Sequence, residues 1–232
     1  MRRLLAAEMM DDPALDDHRH RKALGGLHRI NSLSGVERTL WPLIQNLFDG
    51  ELSTISLLDI ASGSGEIPIK LAQRARSRGL HVDLTGCDFS PLARRIALEK
   101  CETATIKMRY ETIDVTQESL AAMGSFDVVM CNLFLHHLEE EAAIHVLREA
   151  SQITKRLLVV NDIRRDWINL LLANIVPRIL TRSKVVHVDA VRSVRAAYSD
   201  REFRSLANKA GLHHVRVRNV FPKRMILTWS PQ

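Results

Sequence analysis

Leu57–Leu58–Asp59–Ile60–Ala61–Ser62–Gly63–Ser64–Gly65–Glu66–Ile67–Pro68–Ile69–Lys70–Leu71–Ala72 reads as a buried strand, a tight turn and the opening of a helix. Ile55, Leu57, Leu58 and Ile60 make the short apolar run expected of a parallel strand covered on both faces. Ser62, Gly63, Ser64 and Gly65 can turn sharply and let a ligand approach the backbone. Ile67, Ile69, Leu71 and Ala72 supply the apolar side of the helix that follows, and Pro68 falls in its first turn, where a missing N–H costs little. The N-terminus of that helix points unpaired N–H groups at whatever sits on the turn.

The next strand sharpens the reading. His81–Val82–Asp83–Leu84–Thr85–Gly86–Cys87–Asp88–Phe89–Ser90 ends in an acid, and a carboxylate at the tip of a second strand can accept both hydroxyls of a ribose. The G-x-G-x-x-G spacing of a plain NAD-binding turn is absent, since Gly63 and Gly65 are followed by Pro68.

At 232 residues, 46% hydrophobic, the chain suits one α/β domain with an N-terminal extension. A formal charge of +6 permits anionic partners without demanding them, and the arginines are spread rather than gathered in a tail. Cys87, Cys101 and Cys131 lack metal-ligand spacing, no carboxylate cluster has it either, and no metal is expected. Unpaired cysteines without a signal peptide suggest a reducing, cytoplasmic setting. Met1–Ala7 imitates a signal sequence, but Glu8, Asp11 and Asp12 cut it short. Trp167–Leu180 is apolar yet too short to span a membrane.

Asp59-x-Ala-Ser-Gly-Ser-Gly, then Gly86–Cys87–Asp88–Phe89–Ser90–Pro91, then Phe126–Asp127–Val128–Val129–Met130–Cys131–Asn132 resemble, in that order, the class I S-adenosylmethionine-dependent methyltransferases. The likeness runs from about Ser53 to the C-terminus and is closest to the branch that modifies quinones and polyketides. Ala61 departs from the pattern, since many members have a glycine there. The resemblance implies a Rossmann-like, doubly wound seven-stranded sheet, mostly parallel with an antiparallel C-terminal hairpin. It assigns residues 51–232 to the methyltransferase domain, with a helical insertion at about 165–195, and residues 1–50 to a lid. It implies S-adenosylmethionine as cofactor and S-adenosylhomocysteine as product. Its cofactor positions fall on Asp59, Ala61, Ser62, Gly63, Gly65, Asp88, Phe89, Ser90, Asp114, Val115, Asn132 and Leu133, with Asp114 toward the adenine amino group and Asn132 and Leu133 near the methionine part. Asp114 reads equally well as the cap of a helix over Thr116–Met123.

Ahead of the sheet, Leu24, Leu27, Ile30 and Leu33 are spaced as one side of a helix, and Val36, Leu40, Leu43, Ile44 and Leu47 as a second. Arg29 and Asn31 are lid candidates. Behind strand 4, at the edge where open α/β sheets bind ligands, stand His136 and His137. A neutral imidazole serves as a base near pH 7, and neighbouring side chains point apart, so at most one should face the ligand. Asp162, at the end of strand 5, could orient a phenol or amine, and Arg164 or Arg165 could bind an acidic substrate or pair with Asp166 on the surface. Thr181–Arg195 reads as a loop across the substrate mouth, and Ser199 with Glu202 as a capping box.

Strand 4 runs into Asn132–Leu133–Phe134 rather than Asn/Asp-Pro-Pro-aromatic, and no cysteine–proline pair follows, so amino and cytosine methylation of nucleic acid are not expected. The expected reaction is O- or C-methylation of a lipophilic, aromatic small molecule, with the apolar insertion helix lining the pocket or a homodimer surface. A nucleic-acid methyltransferase and a non-catalytic S-adenosylmethionine-binding module are the alternatives.

Overall fold

The computed structural model describes residues 1–11, 16, 19, 22–23, 35–48 and 53–231. The expected helix over Leu24–Leu33 and the candidates Arg29 and Asn31 lie outside the described residues. Helix α1 (Val36–Gln45) precedes β1 (Thr54–Ile60), α2 (Glu66–Arg76), β2 (His81–Asp88), α3 (Pro91–Ala104), β3 (Met108–Thr112) and β4 (Phe126–Asn132). Then come α4 (Glu140–Gln152), β5 (Thr154–Ile163), α5 (Trp167–Leu180), α6 (Lys184–Ala196), α7 (Asp200–Lys209), β6 (Arg216–Val220) and β7 (Arg224–Trp229).

The strands form one seven-stranded sheet in the order β3-β2-β1-β4-β5-β7-β6. β1 pairs in parallel with β2 and β4, and β7 runs antiparallel between β5 and β6. The doubly wound expectation is therefore met. Alternation along the strands explains the two cores. Leu58, Ile60, Val129, Cys131, Leu158 and Val160 face α4 and α7 on one side of the sheet, packing with Leu147 and Phe203. Ile55, Leu57, Val128, Met130, Leu157 and Val159 face the other side and meet Trp41 of α1, Leu71 of α2 and Cys101 of α3. All three cysteines are buried and unbridged, as packing residues should be.

Local chemistry sets several helix ends. Ser90 caps α3, its hydroxyl accepting the Ala93 N–H, with Pro91 following. The capping box at Ser199 and Glu202 is present. Two expectations are corrected. Thr116–Met123 does not form a helix: the Asp114 side chain does cap a turn there, accepting the Thr116 N–H and hydroxyl, but the turn does not propagate and only a short 3-10 segment at Ala121–Met123 follows. Thr181–Arg195 is not a loop. Ser183 caps α6, and the run of valines hides its helical period: β-branched residues favour strands, yet Val185, Val186, Asp189, Ser193 and Val194 all fall on the buried face.

Candidate active site

The glycine turn after β1 is held in a left-handed conformation at Ala61, Gly63 and Gly65, with φ of +52°, +54° and +68°. Gly65 lies against α3: a Cβ there would come 3.2 Å from that of Ala97. Ala61 takes the same conformation with a side chain, which costs an L-residue roughly 1–2 kcal/mol. Ala61→Gly relieves that strain, but its more flexible unfolded chain offsets part of the gain. A rise in Tm of roughly 1–3 °C is expected, read by thermal melts of the two proteins.

The turn is fastened from three directions. The Asp88 carboxylate accepts the Gly63 N–H (2.9 Å) and the Ser90 N–H (3.0 Å). The Tyr110 hydroxyl donates to the Gly63 carbonyl (2.6 Å), and the Lys100 ammonium to the Ser64 hydroxyl (2.7 Å). Beside it opens a cavity of about 370 Å³, lined by Ala61, Asp88, Phe89, Ile113, Asp114, Val115, Leu133, Phe134 and His137. Of the expected cofactor positions, Ala61, Asp88, Phe89, Asp114, Val115 and Leu133 thus meet on one cavity. Ser62, Gly63, Gly65 and Ser90 shape the turn and the start of α3. Ile113 and Phe134 escaped the sequence reading, although each adjoins a residue it singled out.

Asp59 and Asn132 lie beneath the turn, where the Asn132 amide donates to the Asp59 carboxylate (3.1 Å) and Asn161 donates to Asn132 (3.3 Å). Burial pushes the Asp59 carboxyl up to about 7. Below pH ~3 this carboxyl is neutral in both folded and unfolded chains and does not affect stability. As pH rises further the unfolded chain ionises first, so stability falls until about pH 7 and then levels off. Asp59→Asn should flatten that slope, leaving stability nearly unchanged at about pH 3 and raising it by up to about 4 kcal/mol at pH 8. Urea midpoints across this range check it.

His136 and His137 lie in a 3-10 turn, Leu135–His137, that follows β4. His137 lines the cavity; His136 turns inward, where its Nδ1 sits 2.6 Å from Asp162 and its backbone N–H donates to the other Asp162 oxygen (3.1 Å). The expectation that neighbouring rings point apart is corrected: in the tight turn their centroids are 4.1 Å apart and the rings partly stack. Burial opposes charge on both members of the His136–Asp162 pair. Each outweighs it for the other, by charge and hydrogen bond, so His136 is held above the ordinary histidine range and Asp162 below the ordinary carboxylate range. Burial, and behind it the charge on His136, pushes His137 down to about 3, so its imidazole stays neutral at neutral pH.

A carboxylate from the other end of the chain completes the group. Glu8 approaches His136 Nε2 at 4.0 Å and is also met by the Ser193 hydroxyl. The N-terminal segment is strapped there. Arg3 donates to the carbonyls of His136, Leu138 and Ala196 and lies over the Tyr198 ring, while Asp189 accepts the N–H groups of Met9 and Met10. Glu8, His136 and His137 bring one donor atom each within 4.8 Å of one another, the only such grouping among the described residues. No sequence spacing announces this cluster.

Arg164 and Arg165 do not line the cavity. Arg164 pairs with Asp200 (3.0 Å) and Asp166 (3.5 Å). Arg165 is buried, forks onto Glu202 (2.7 and 2.8 Å) and donates to the carbonyls of Ala197 and Met1. A buried arginine that the sequence reading missed, Arg224, lies near the His136–Asp162 pair; burial lowers it to about 10, against the pull of Asp162.

Comparison with known proteins agrees with this geometry. Residues 57–156 match the family model of a methyltransferase domain. The ubiquinone/menaquinone biosynthesis C-methyltransferase UbiE of Rickettsia bellii is 25% identical over 178 residues, 71% of each chain. A ubiquinone biosynthesis O-methyltransferase of Albidiferax ferrireducens is 35% identical over 121 residues, 51% of this chain and 42% of that one. The same fold is seen in magnesium protoporphyrin IX methyltransferase of Synechocystis PCC 6803 with bound S-adenosylhomocysteine (TM-score 0.58, 16% identity, 96% of this chain and 91% of that one). It is seen again in the plantazolicin methyltransferase BpumL (TM-score 0.67, 16% identity, 93% and 92%). Residues 57–156 thus carry a methyltransferase domain, and the sheet order and the glycine turn facing Asp88 make the chain similar to the S-adenosylmethionine-dependent methyltransferases.

Proposed function

We infer that the chain methylates an oxygen or carbon of a lipophilic aromatic small molecule of the quinol kind. One observation carries this reading: apart from Asp88 and Asp114 the cavity is lined by apolar side chains, among them Ile113, Val115, Leu133 and Phe134, and by the single neutral imidazole of His137. The relatives named for ubiquinone and menaquinone biosynthesis support the acceptor class. The pairing of Arg164 and Arg165 with Asp166, Asp200 and Glu202 speaks against a phosphate-binding mouth, and so against nucleic acid.

In this reading the residues divide the work. Asp88 accepts the ribose hydroxyls while it holds the Gly63 and Ser90 N–H groups; Asp114 and Val115 meet the adenine, and Asn132 and Leu133 the methionine part. S-adenosylmethionine supplies a methyl group already activated by its sulfonium, so alignment is the protein's main contribution. His137, neutral at working pH, accepts a hydrogen bond from the acceptor hydroxyl and orients it. The buried His136–Asp162 pair holds the turn that presents His137. Residues 1–50 act as the lid over the domain of residues 51–232, a role supported by Arg3 and Glu8 reaching this turn.

Transfer of tritiated methyl from S-adenosylmethionine to a panel of demethyl quinols, simple phenols and transfer RNA tests the acceptor class. Label in the quinols is expected; label in the RNA alone would overturn the reading. With an accepted quinol, His137→Ala should lower kcat roughly ten- to a hundredfold while S-adenosylhomocysteine affinity changes little, and His137→Gln should restore part of the rate.

A further inference from the structure

Helix α5 is amphipathic the wrong way round. Its buried residues are Asn169, Ala173 and Pro177. Its large apolar side chains recur every fourth residue on the open side: Trp167 is 72% exposed, Leu171 52%, Ile175 47% and Ile179 76%. A surface helix ordinarily does the reverse, and a contiguous apolar stripe of this kind marks a surface that something covers. Phe221, 85% exposed, extends the stripe at its Trp167 end. The turn that carries it is tied to the first turn of α5, where the Asn169 amide donates to the Lys223 carbonyl (3.2 Å) and Lys223 approaches Asp166 (3.7 Å).

Charge identifies the occupant. From Trp167 to Val188 the chain contains no Asp or Glu, while Arg178, Arg182 and Lys184 are all exposed. The flanking carboxylates are already engaged: Asp166 by Arg164 and Lys223, and buried Asp189 by the N–H groups of Met9 and Met10. A second copy of the chain would bring the same three cations and no carboxylate from this stretch to meet them. An anionic bilayer supplies both requirements, hydrocarbon for the stripe and phosphate for the cations, and exposed Trp and Phe are the side chains that settle at its interface.

We propose that α5 and the β6–β7 turn dock the protein, in the plane of the interface, on a membrane surface rich in anionic lipid. No described helix is long and apolar enough to cross a membrane, so this is attachment to the surface. The docking helix begins just beyond the C-terminal end of β5, the same sheet edge as the cavity after β4. A lipophilic acceptor held in the bilayer would meet the cavity from that side. The docking itself does not depend on the identity of the acceptor.

Co-sedimentation of the full chain with vesicles of phosphatidylglycerol and phosphatidylcholine in equal parts, against pure phosphatidylcholine, tests it. Binding to the mixed vesicles is expected, weaker by roughly a hundredfold on the neutral ones, with a blue shift of tryptophan emission. Leu171→Glu with Ile179→Glu should abolish binding while S-adenosylhomocysteine affinity, measured by calorimetry, is unchanged. Arg182→Glu with Lys184→Glu, which leaves the apolar stripe intact, should weaken binding to the mixed vesicles alone and keeps the test open if the first variant misfolds. The proposal is overturned if the wild-type chain ignores both vesicles, if both variants bind as it does, or if light scattering shows a dimer that Leu171→Glu with Ile179→Glu splits while no vesicle binds.

Discussion

Asp88→Ala is expected to weaken S-adenosylhomocysteine binding about a hundredfold or more, ~2.7 kcal/mol at the lower bound. The carboxylate has two tasks. It accepts the Gly63 and Ser90 N–H groups, so its loss frees the glycine turn and the entry to α3 together. It also faces the cavity, where in the proposed pose it takes the ribose hydroxyls, and hydrogen bonds to an ionised acceptor are about twice as strong as neutral ones. Calorimetric titration with S-adenosylhomocysteine, and with NAD as control, is the measurement. Asp88→Asn should keep part of the turn geometry and fall between the two. If Asp88→Ala bound S-adenosylhomocysteine within a factor of about three of the wild type, the cofactor would lie elsewhere and the assignments built on this cavity would go with it.

The largest effect on stability is expected at Asp162. Asp162→Ala removes the charged partner of the buried His136 ring and leaves its ring and backbone N–H groups without their acceptor, a loss of about 3–5 kcal/mol. Asp162→Asn retains an acceptor oxygen without the charge and should lose less. The pH dependence follows from the two shifts. The contribution of His136, raised in the fold, is complete below the unfolded histidine pKa and disappears as pH climbs through the folded value. The contribution of Asp162, lowered in the fold, is complete above the unfolded carboxylate pKa and disappears as pH falls through the folded value. The gap between wild type and Asp162→Ala should therefore be widest at about pH 5–6 and narrow on both sides. Urea unfolding at several pH values measures it. An equal gap at pH 9 would show that the pair contributes by packing alone.

The fold was legible because its determinants are local. A buried strand, a turn and a proline-led helix fit inside Leu57–Ala72, and strand tips announce themselves by an acid such as Asp88 or by Asn132 at the close of an apolar run. Helix α6 was not legible, since its valines suggest strand to anyone counting propensities and only packing reveals the buried period. The site divides along the same line. Which residues stand at the ligand edge follows from chain order in a doubly wound sheet, as for Asp88, Leu133 and His137, whereas the resemblance to a family was needed to single out Asp114.

Which of them do what required the third dimension. Sequence could not separate His136 from His137; the 3-10 turn does, sending one to Asp162 and the other to the cavity. Nor could it foresee that Arg165 is spent on Glu202, that Glu8 crosses the molecule to His136, or that α5 turns its small residues inward. Short-range patterns determine where strands, turns and helices form, because backbone hydrogen bonds and side-chain periods act over a few residues. Charge partners and exposed faces are decided by contacts between segments far apart in the chain, which exist only once the sheet has brought them together.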